Sequence, residues 1–305
     1  MAEVPLPQPG PGEVRVKLEG CGVCASNIEP FEGQPWSSFP GEAGGMGHEG
    51  WGVVDALGEG VTTPAIGTRV ASLAHRSFAE YDVVAADAVV ALPASLAGQP
   101  FPGEPLGCAM NIFRRSDIVA GQTVAIVGIG FLGAVLTKLA SDAGARVIAI
   151  SRRRESLDLA TRYGAAETIV MDDHWAIIDA VKRLTDDRLC ERVIEAVGKQ
   201  WPLDLAGELV GFGGKLIVAG YHQDGPRQVN MQMWNWKGID VVNAHERDPA
   251  VNLRGLREAV EAVASGRIDT ARLYTHRYPL DRLGEAIVAT RDKPHGFVKA
   301  VIDLG

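Results

Sequence analysis

Residues 121–155, GQTVAIVGIGFLGAVLTKLASDAGARVIAISRRRE, constrain the fold more than any other stretch of this chain. They open on a short apolar run, Val124, Ala125, Ile126 and Val127, as a strand buried on both faces requires. Gly128, Gly130 and Gly133 follow in the pattern G-x-G-x-x-G. In such a turn the first glycine permits a tight bend and the second lets the backbone approach a pyrophosphate. The third lets the helix pack closely on the strand. Leu132, Val135, Leu136 and Leu139 then recur at helical spacing, and ARVIAIS supplies a second strand. The spacing predicts a helix that aims its N-terminal N–H groups and dipole at phosphates. Gly128, Gly130, Phe131, Leu132 and Gly133 are therefore candidate contacts to a dinucleotide.

The end of the second strand bears on which dinucleotide. A unit that binds NAD carries an acid about 20 residues on, which hydrogen-bonds the ribose 2′-OH. Here stand Ser151, Arg152, Arg153 and Arg154. Cations at a helix start oppose the helix dipole, and a bound anion reverses that penalty. A guanidinium fork fits a phosphate bidentately, and Ser151 offers one more donor. Ser151, Arg152 and Arg153 thus point to the 2′-phosphate of NADP(H) over NAD(H); the alternative is a solvated charge run.

From Thr123 onward strands alternate with helices: ARVIAIS, a helix over 155–163, TIVM, a helix over 175–184, RVIEAVG, a helix near 203–209, and GKLIVAGY. Such alternation specifies a parallel sheet with right-handed crossovers. Gly198 and Gly220 end strands, so Val197, Gly198, Ala219 and Gly220 fall at the carboxyl edge where ligands bind, and join the candidate cofactor contacts. The first hundred residues read differently. EVRVKLEG alternates, the loop GCGVCASNIEPFEGQPW is too rich in Gly and Pro to be regular, and short β segments continue to residue 93. A helical stretch, CAMNIFRRSDIVA, leads into the nucleotide unit, and WNWKGIDVVNAHERD leads out of it. A helix over 249–265 and a last strand in GFVKAVIDL follow. The expected division is 1–108 for a β-rich domain, 109–245 for a doubly wound domain inserted in it, and 246–305 for the return, with the active site in the cleft between the two.

With 305 residues, the chain is long enough for two cores. No apolar run spans a membrane, and MAEVPLPQPGPGE lacks the apolar stretch of a signal peptide. A net charge of −8 argues against general nucleic-acid binding, so the arginine cluster is a local feature. Four cysteines, Cys21, Cys24, Cys108 and Cys190, are too few for a disulfide scaffold and suggest reduced thiols in a cytoplasm.

Cys24, His48 and Glu104 are a thiolate, an imidazole and a carboxylate, the three kinds of zinc ligand. They lie in separate segments, as catalytic ligands do, whereas a structural site gathers close pairs. Singly they also fit a buried thiol, a turn histidine and a surface acid. The words around them are GVCASN, GHEGWGVV, GTRV, FAEYDVV, EPLGCAMNIF, GIGFLG, IEAVG, THRYPLDRLGEAI and GFVKAVI, in that order. This sequence resembles the zinc-dependent medium-chain dehydrogenase/reductase family of alcohol, sorbitol and threonine dehydrogenases over nearly its whole length. The resemblance implies a GroES-like catalytic domain, an inserted Rossmann domain, and hydride transfer between NAD(P) and an alcohol or ketone.

Carried over by that resemblance, Cys24, His48 and Glu104 are the zinc ligands, with zinc as Lewis acid toward the substrate oxygen. Glu49 is the acid beside the metal, and Ser26 takes the substrate's hydroxyl proton. The position of Glu104 leans toward polyols or secondary alcohols. Asn27 stands where the family has aspartate, and Glu29 where many members carry a relay histidine. The four-cysteine lobe of a structural zinc is missing, so one zinc per chain is expected. A homodimer or homotetramer is implied in the same way. Cys21 and Cys24 also form C-x-x-C, a possible redox pair, and Cys108 is an alternative ligand or a core residue. Trp234, Trp236, Asn243, His245 and Glu246 suit a substrate pocket, a subunit edge or ordinary packing. Two rival readings stand beside the dehydrogenase: a zinc-free quinone or enoyl reductase of the same superfamily, and a non-catalytic NADPH-binding protein.

Overall fold

The alternation of Val14, Val16 and Leu18 builds the central strand of the first unit, β1 (Glu13–Gly22), with those three side chains at 0–1% exposure. A computed structural model describes residues 1–34, 36–37 and 41–305; Pro35 of the expected irregular loop, and residues 38–40 after it, lie outside the described residues. After β1 come a single 3-10 turn (Ala25–Asn27), the short α1 (Ile28–Phe31), β2 (Gly50–Leu57), β3 (Arg69–Ser72), β4 (Tyr81–Ala85) and β5 (Val89–Ala91). The helix α2 (Gly103–Ser116) carries the chain into the second unit.

That unit runs β6 (Thr123–Val127), α3 (Phe131–Asp142), β7 (Arg146–Ser151), α4 (Arg154–Arg162), β8 (Glu167–Val170) and α5 (His174–Leu184). It continues through β9 (Cys190–Glu195), α6 (Gln200–Leu209), β10 (Val210–Val218), α7 (Met231–Lys237) and β11 (Asp240–Asn243). The chain then rejoins the first unit with α8 (Pro249–Ala264), β12 (Tyr274–Pro279), α9 (Leu283–Asp292) and β13 (Lys299–Asp303). Met1–Cys108 and Arg247–Gly305 form one unit, and Ala109–Glu246 the other.

In the first unit a seven-stranded sheet has the order β12-β13-β1-β2-β3-β5, with β4 also on β1. β1 pairs antiparallel with β2, β4 and β13, so one strand is the hub of the sheet. Val14, Val16, Leu18, Val54, Val70 and Val84 fill one core, and Cys21, Val23, Ile287, Phe297 and Ile302 another. The second unit is a six-stranded, wholly parallel sheet, β11-β10-β9-β6-β7-β8. Chain order runs outward in both directions from β6 and β9, so the switch point of this doubly wound sheet lies between them. Ile177, Val181, Leu203, Leu205 and Leu209 pack from α5 and α6 onto its buried strands. Among the described residues no helix is long and apolar enough to cross a membrane.

Two local expectations change. The helix before the nucleotide unit starts at Gly103 and stops at Ser116, not at residue 120, because Asp117 turns left-handed at φ 49° and ends it. The segment WNWKGIDVVNAHERD does not leave the parallel domain at once. Gly238, left-handed at φ 59°, ends α7 and turns the chain into β11, which adds a sixth parallel strand beside β10.

Candidate metal centre and nucleotide-binding edge

The metal candidates are set by the ends of β1 and β2. Cys24 follows β1 by two residues, and His48 and Glu49 directly precede β2. The Cys24 sulfur, a His48 ring nitrogen and a Glu49 carboxylate oxygen all lie within 4.8 Å of one another. Among the described residues this is the one group of three or more metal-binding side chains drawn so close. Gly22 makes room for it: a Cβ there would fall 1.8 Å from Glu49 Oε2.

His48 Nδ1 lies 2.9 Å from the Met46 carbonyl and donates to it, which leaves Nε2 for Cys24. That is the arrangement of a ligating histidine oriented from behind by a backbone carbonyl. Asn27, 2% exposed, ties the two loops together: Cys24 N donates to its Oδ1 at 3.0 Å, and its Nδ2 donates to Met46 O at 2.9 Å. Burial works to lower the His48 pKa, yet the hydrogen bond to Cys24 and the negative charges of Cys24, Glu104 and Glu49 push it up to about 10.

Glu104 lies outside the three-residue cluster. It sits in the first turn of α2, where its Oε1 accepts from Cys108 Sγ, one turn along, at 3.1 Å. Burial raises its pKa, partly opposed by the charge of His48. Burial also pushes the Cys108 and Cys21 thiols well up. Cys21 is fully buried, and all four cysteines are free thiols. Glu49 is fully buried against Lys299, itself 5% exposed on β13. Lys299 Nζ donates to Glu49 Oε1 at 2.8 Å and to Val23 O at 3.2 Å, and stands 2.7 Å from Oε2. Oε2 has this ion-pair contact but receives no directed hydrogen bond. Ser26, half-buried, lies in the 3-10 turn beside Cys24, and Glu29 accepts from Gln34 Nε2 at 2.8 Å.

A sulfur, an imidazole and two carboxylates with surplus negative charge suit a divalent ion of zinc's character. The residues present fit the metal.

In the second unit the three glycines differ in what requires them. Gly128 has φ 100°, and a Cβ there would meet Val197 Cγ2 at 2.4 Å. At Gly133 a Cβ would meet Gly128 O at 2.0 Å. Gly130 has an ordinary extended backbone and nothing within 4 Å of a Cβ. No protein contact requires that glycine, and the space a Cβ would take is open, as a turn that receives a pyrophosphate needs. Phe131 and Leu132 begin α3, whose N-cap, Gly130, offers no side-chain acceptor to its first N–H groups. Ser151 is buried at the end of β7, Arg152 is exposed, and Arg153 lies 3.9 Å from Glu155 at the start of α4.

The candidates Val197, Gly198, Ala219 and Gly220 lie at this edge, but their N–H groups are already engaged. Val197 N and Gly198 N donate to Glu195 Oε1 at 2.7 and 2.8 Å, and Ala219 N and Gly220 N donate to Glu195 O at 2.8 Å. Arg227 Nε donates to His222 Nδ1 at 2.8 Å, so His222 Nε2 carries the proton and donates to Glu195 Oε2 at 3.0 Å. Sequence reasoning missed both Glu195 and Lys299. The signal was there: each is a charge at the end of an apolar run, Val193–Ile194 before Glu195 and Ala300–Ile302 after Lys299, where a buried charge demands a partner. Of the aromatic group, Trp234 packs against the core of the parallel domain, Trp236 is exposed, and the His245 ring lies 5.2 Å from Tyr221.

Comparison with known proteins gives one family match in the first unit and one that starts in the second and runs on past residue 246. Residues 10–94 match the alcohol dehydrogenase GroES-like domain, and residues 132–263 the zinc-binding dehydrogenase domain. The chain is similar to a sorbitol dehydrogenase of Halalkalibacterium halodurans, at 26% identity over 95% of this chain and 91% of that one. It is similar at 25% identity to the L-threonine 3-dehydrogenase of Bacillus subtilis, over 98% and 93% of the two chains. A solved structure of zinc-binding dehydrogenase type from Sinorhizobium meliloti 1021, bound to NADP, matches with a TM-score of 0.83 at 27% identity, over 98% and 94%.

Proposed function

Because the chain belongs to the zinc-type medium-chain dehydrogenase/reductase family it is an oxidoreductase, and we propose that it moves a hydride between NADP(H) and a secondary alcohol or polyol, or the matching ketone, with one zinc ion at the Cys24 site. The convergence of Cys24, His48 and Glu49 within 4.8 Å carries this reading. The two zinc-free or silent alternatives have no use for such a cluster.

Cys24 and His48 would hold the metal, with Glu104 or Glu49 as the carboxylate ligand. Zinc, when bound, supplies Lewis acidity toward a substrate oxygen. NADP(H), when bound, supplies the hydride chemistry. The chain's own residues do the rest. Ser26, two residues past Cys24, receives the hydroxyl proton of the alcohol and passes it on. Met46 and Asn27 keep His48 and Cys24 in register, and Lys299 holds Glu49 in place through their buried ion pair. At the other site α3 and Gly130 receive the pyrophosphate, while Ser151, Arg152 and Arg153 recognise the 2′-phosphate through charge-assisted bonds. The reading includes a cytoplasmic homodimer or homotetramer, on the family resemblance alone.

Elemental analysis of the purified protein and of Cys24→Ala tests the proposal. About one zinc per chain, lost in the variant, is the expected result. No zinc in either, even after incubation with the metal, overturns it. Where zinc is found, NADP-dependent turnover of a polyol and secondary-alcohol panel decides the substrate class.

A further inference from the structure

Cys24 and His48 reach the metal pocket from two loops that share no strand, one after β1 and one before β2. A buried side chain of the first loop bonds directly to the backbone of both. Asn27 Oδ1 accepts from Cys24 N, and Asn27 Nδ2 donates to Met46 O, which also accepts from His48 Nδ1. Met46 itself holds φ at 69°, a left-handed conformation that is strained for a residue with a side chain. A strained residue persists only where its surroundings over-determine it, and the two bonds converging on its carbonyl do so.

We infer that Asn27 is the positioning residue that pre-assembles the metal pair, by a two-way bridge that needs an amide. It acts as acceptor toward the Cys24 loop and as donor toward the carbonyl that fixes the His48 tautomer. The inference rests on the zinc reading above. Aspartate, the residue that the family resemblance puts at this position, has the size of asparagine but no donor as a carboxylate. Its second oxygen would face Met46 O, acceptor against acceptor, where no water competes. In this chain the change toward the family pattern is therefore the damaging one.

The test is zinc affinity, by competition with a chromophoric chelator, for the wild type, Asn27→Asp and Asn27→Ala. Asn27→Asp is expected to bind zinc about 10–100-fold more weakly than the wild type, and more weakly than Asn27→Ala. A space-filling role predicts the reverse order, since aspartate fills the space and alanine leaves a cavity. Equal or tighter binding by Asn27→Asp overturns the inference and leaves the zinc reading intact. A second measurement needs no variant. In the wild type the Asn27 side-chain amide protons should exchange with solvent far more slowly than those of an exposed asparagine, and free-side-chain exchange refutes the bridge. A wild type that binds no zinc, with those protons protected, overturns the functional reading and the positioning role with it, while the bridge stands.

Discussion

Replacing Lys299 with methionine removes the cation from a fully buried pair while keeping most of the side chain's bulk. At 2.7 Å and an effective dielectric constant of about 20, the attraction between Lys299 Nζ and Glu49 is about 6 kcal/mol. Part of it offsets the cost of burying both charges. Breaking such a pair from one side, with Glu49 left uncompensated, costs about 3–5 kcal/mol. The Lys299→Met variant should therefore lose that much stability when metal-free, as read by denaturant unfolding. Saturating zinc should recover much of the loss, because a divalent ion gives Glu49 a second partner. At saturation the gap narrows by RT ln of the ratio of the two Kd values, so the variant should bind zinc more tightly than the wild type, about tenfold for each 1.4 kcal/mol recovered. Burial works to lower the Lys299 pKa, but Glu49, Cys24 and Glu104 hold it above 10.5. A cation whose folded pKa exceeds its unfolded one stabilises fully below the unfolded value and loses that effect as pH rises through the folded one. The gap between wild type and variant should hold from neutral pH to about 10 and narrow above it. A loss under about 1 kcal/mol, or one that zinc leaves unchanged, would refute the role given to this pair.

Three further outcomes follow. Gly130→Ala should leave the melting temperature unchanged yet weaken dinucleotide binding, because nothing lies within 4 Å of its Cβ; Gly133→Ala should destabilise the fold itself, since its Cβ meets Gly128 O at 2.0 Å. Thermal melts alongside cofactor titrations check both, and a fully folded, fully binding Gly130→Ala refutes the turn's role toward the pyrophosphate. Arg152→Ala should weaken NADPH binding about 10–100-fold with little effect on NADH, the worth of charge-assisted bonds to a phosphate. Fluorescence titration with both cofactors separates the two, and an unchanged NADPH affinity removes Arg152 from the site. His48, with a pKa pushed up to about 10, should carry two ring protons in the metal-free protein at pH 8, visible in nitrogen NMR of labelled histidine. Its contribution to metal-free stability is complete below about pH 6.5 and fades as pH rises through 10. A neutral ring at pH 8 would contradict the charge balance given for the pocket.

Periodicity and glycine spacing were enough to read the parallel domain, because a strand buried on both faces and a helix packed on it leave an apolar pattern that depends only on near neighbours in the chain. The three glycines of residues 128–133 were legible for the same reason. The approximate places of Cys24, His48 and Glu104 came from flanking words that resemble a family. What no local pattern carries is which side chains meet. Glu49 joined the closest cluster because Gly22 on β1 leaves room for it, while Glu104 turned to Cys108 one helical turn away. Lys299 reached Glu49 from 250 residues along the chain because β13 pairs with β1. The Glu195 carboxylate met His222, 27 residues on, because β9 and β10 end side by side. The sequence by itself determined the elements, the turn and the kinds of chemical group available. Tertiary structure decided the partners of each buried charge, because a charge removed from water takes whatever counter-group the packing of distant strands brings within about 3 Å.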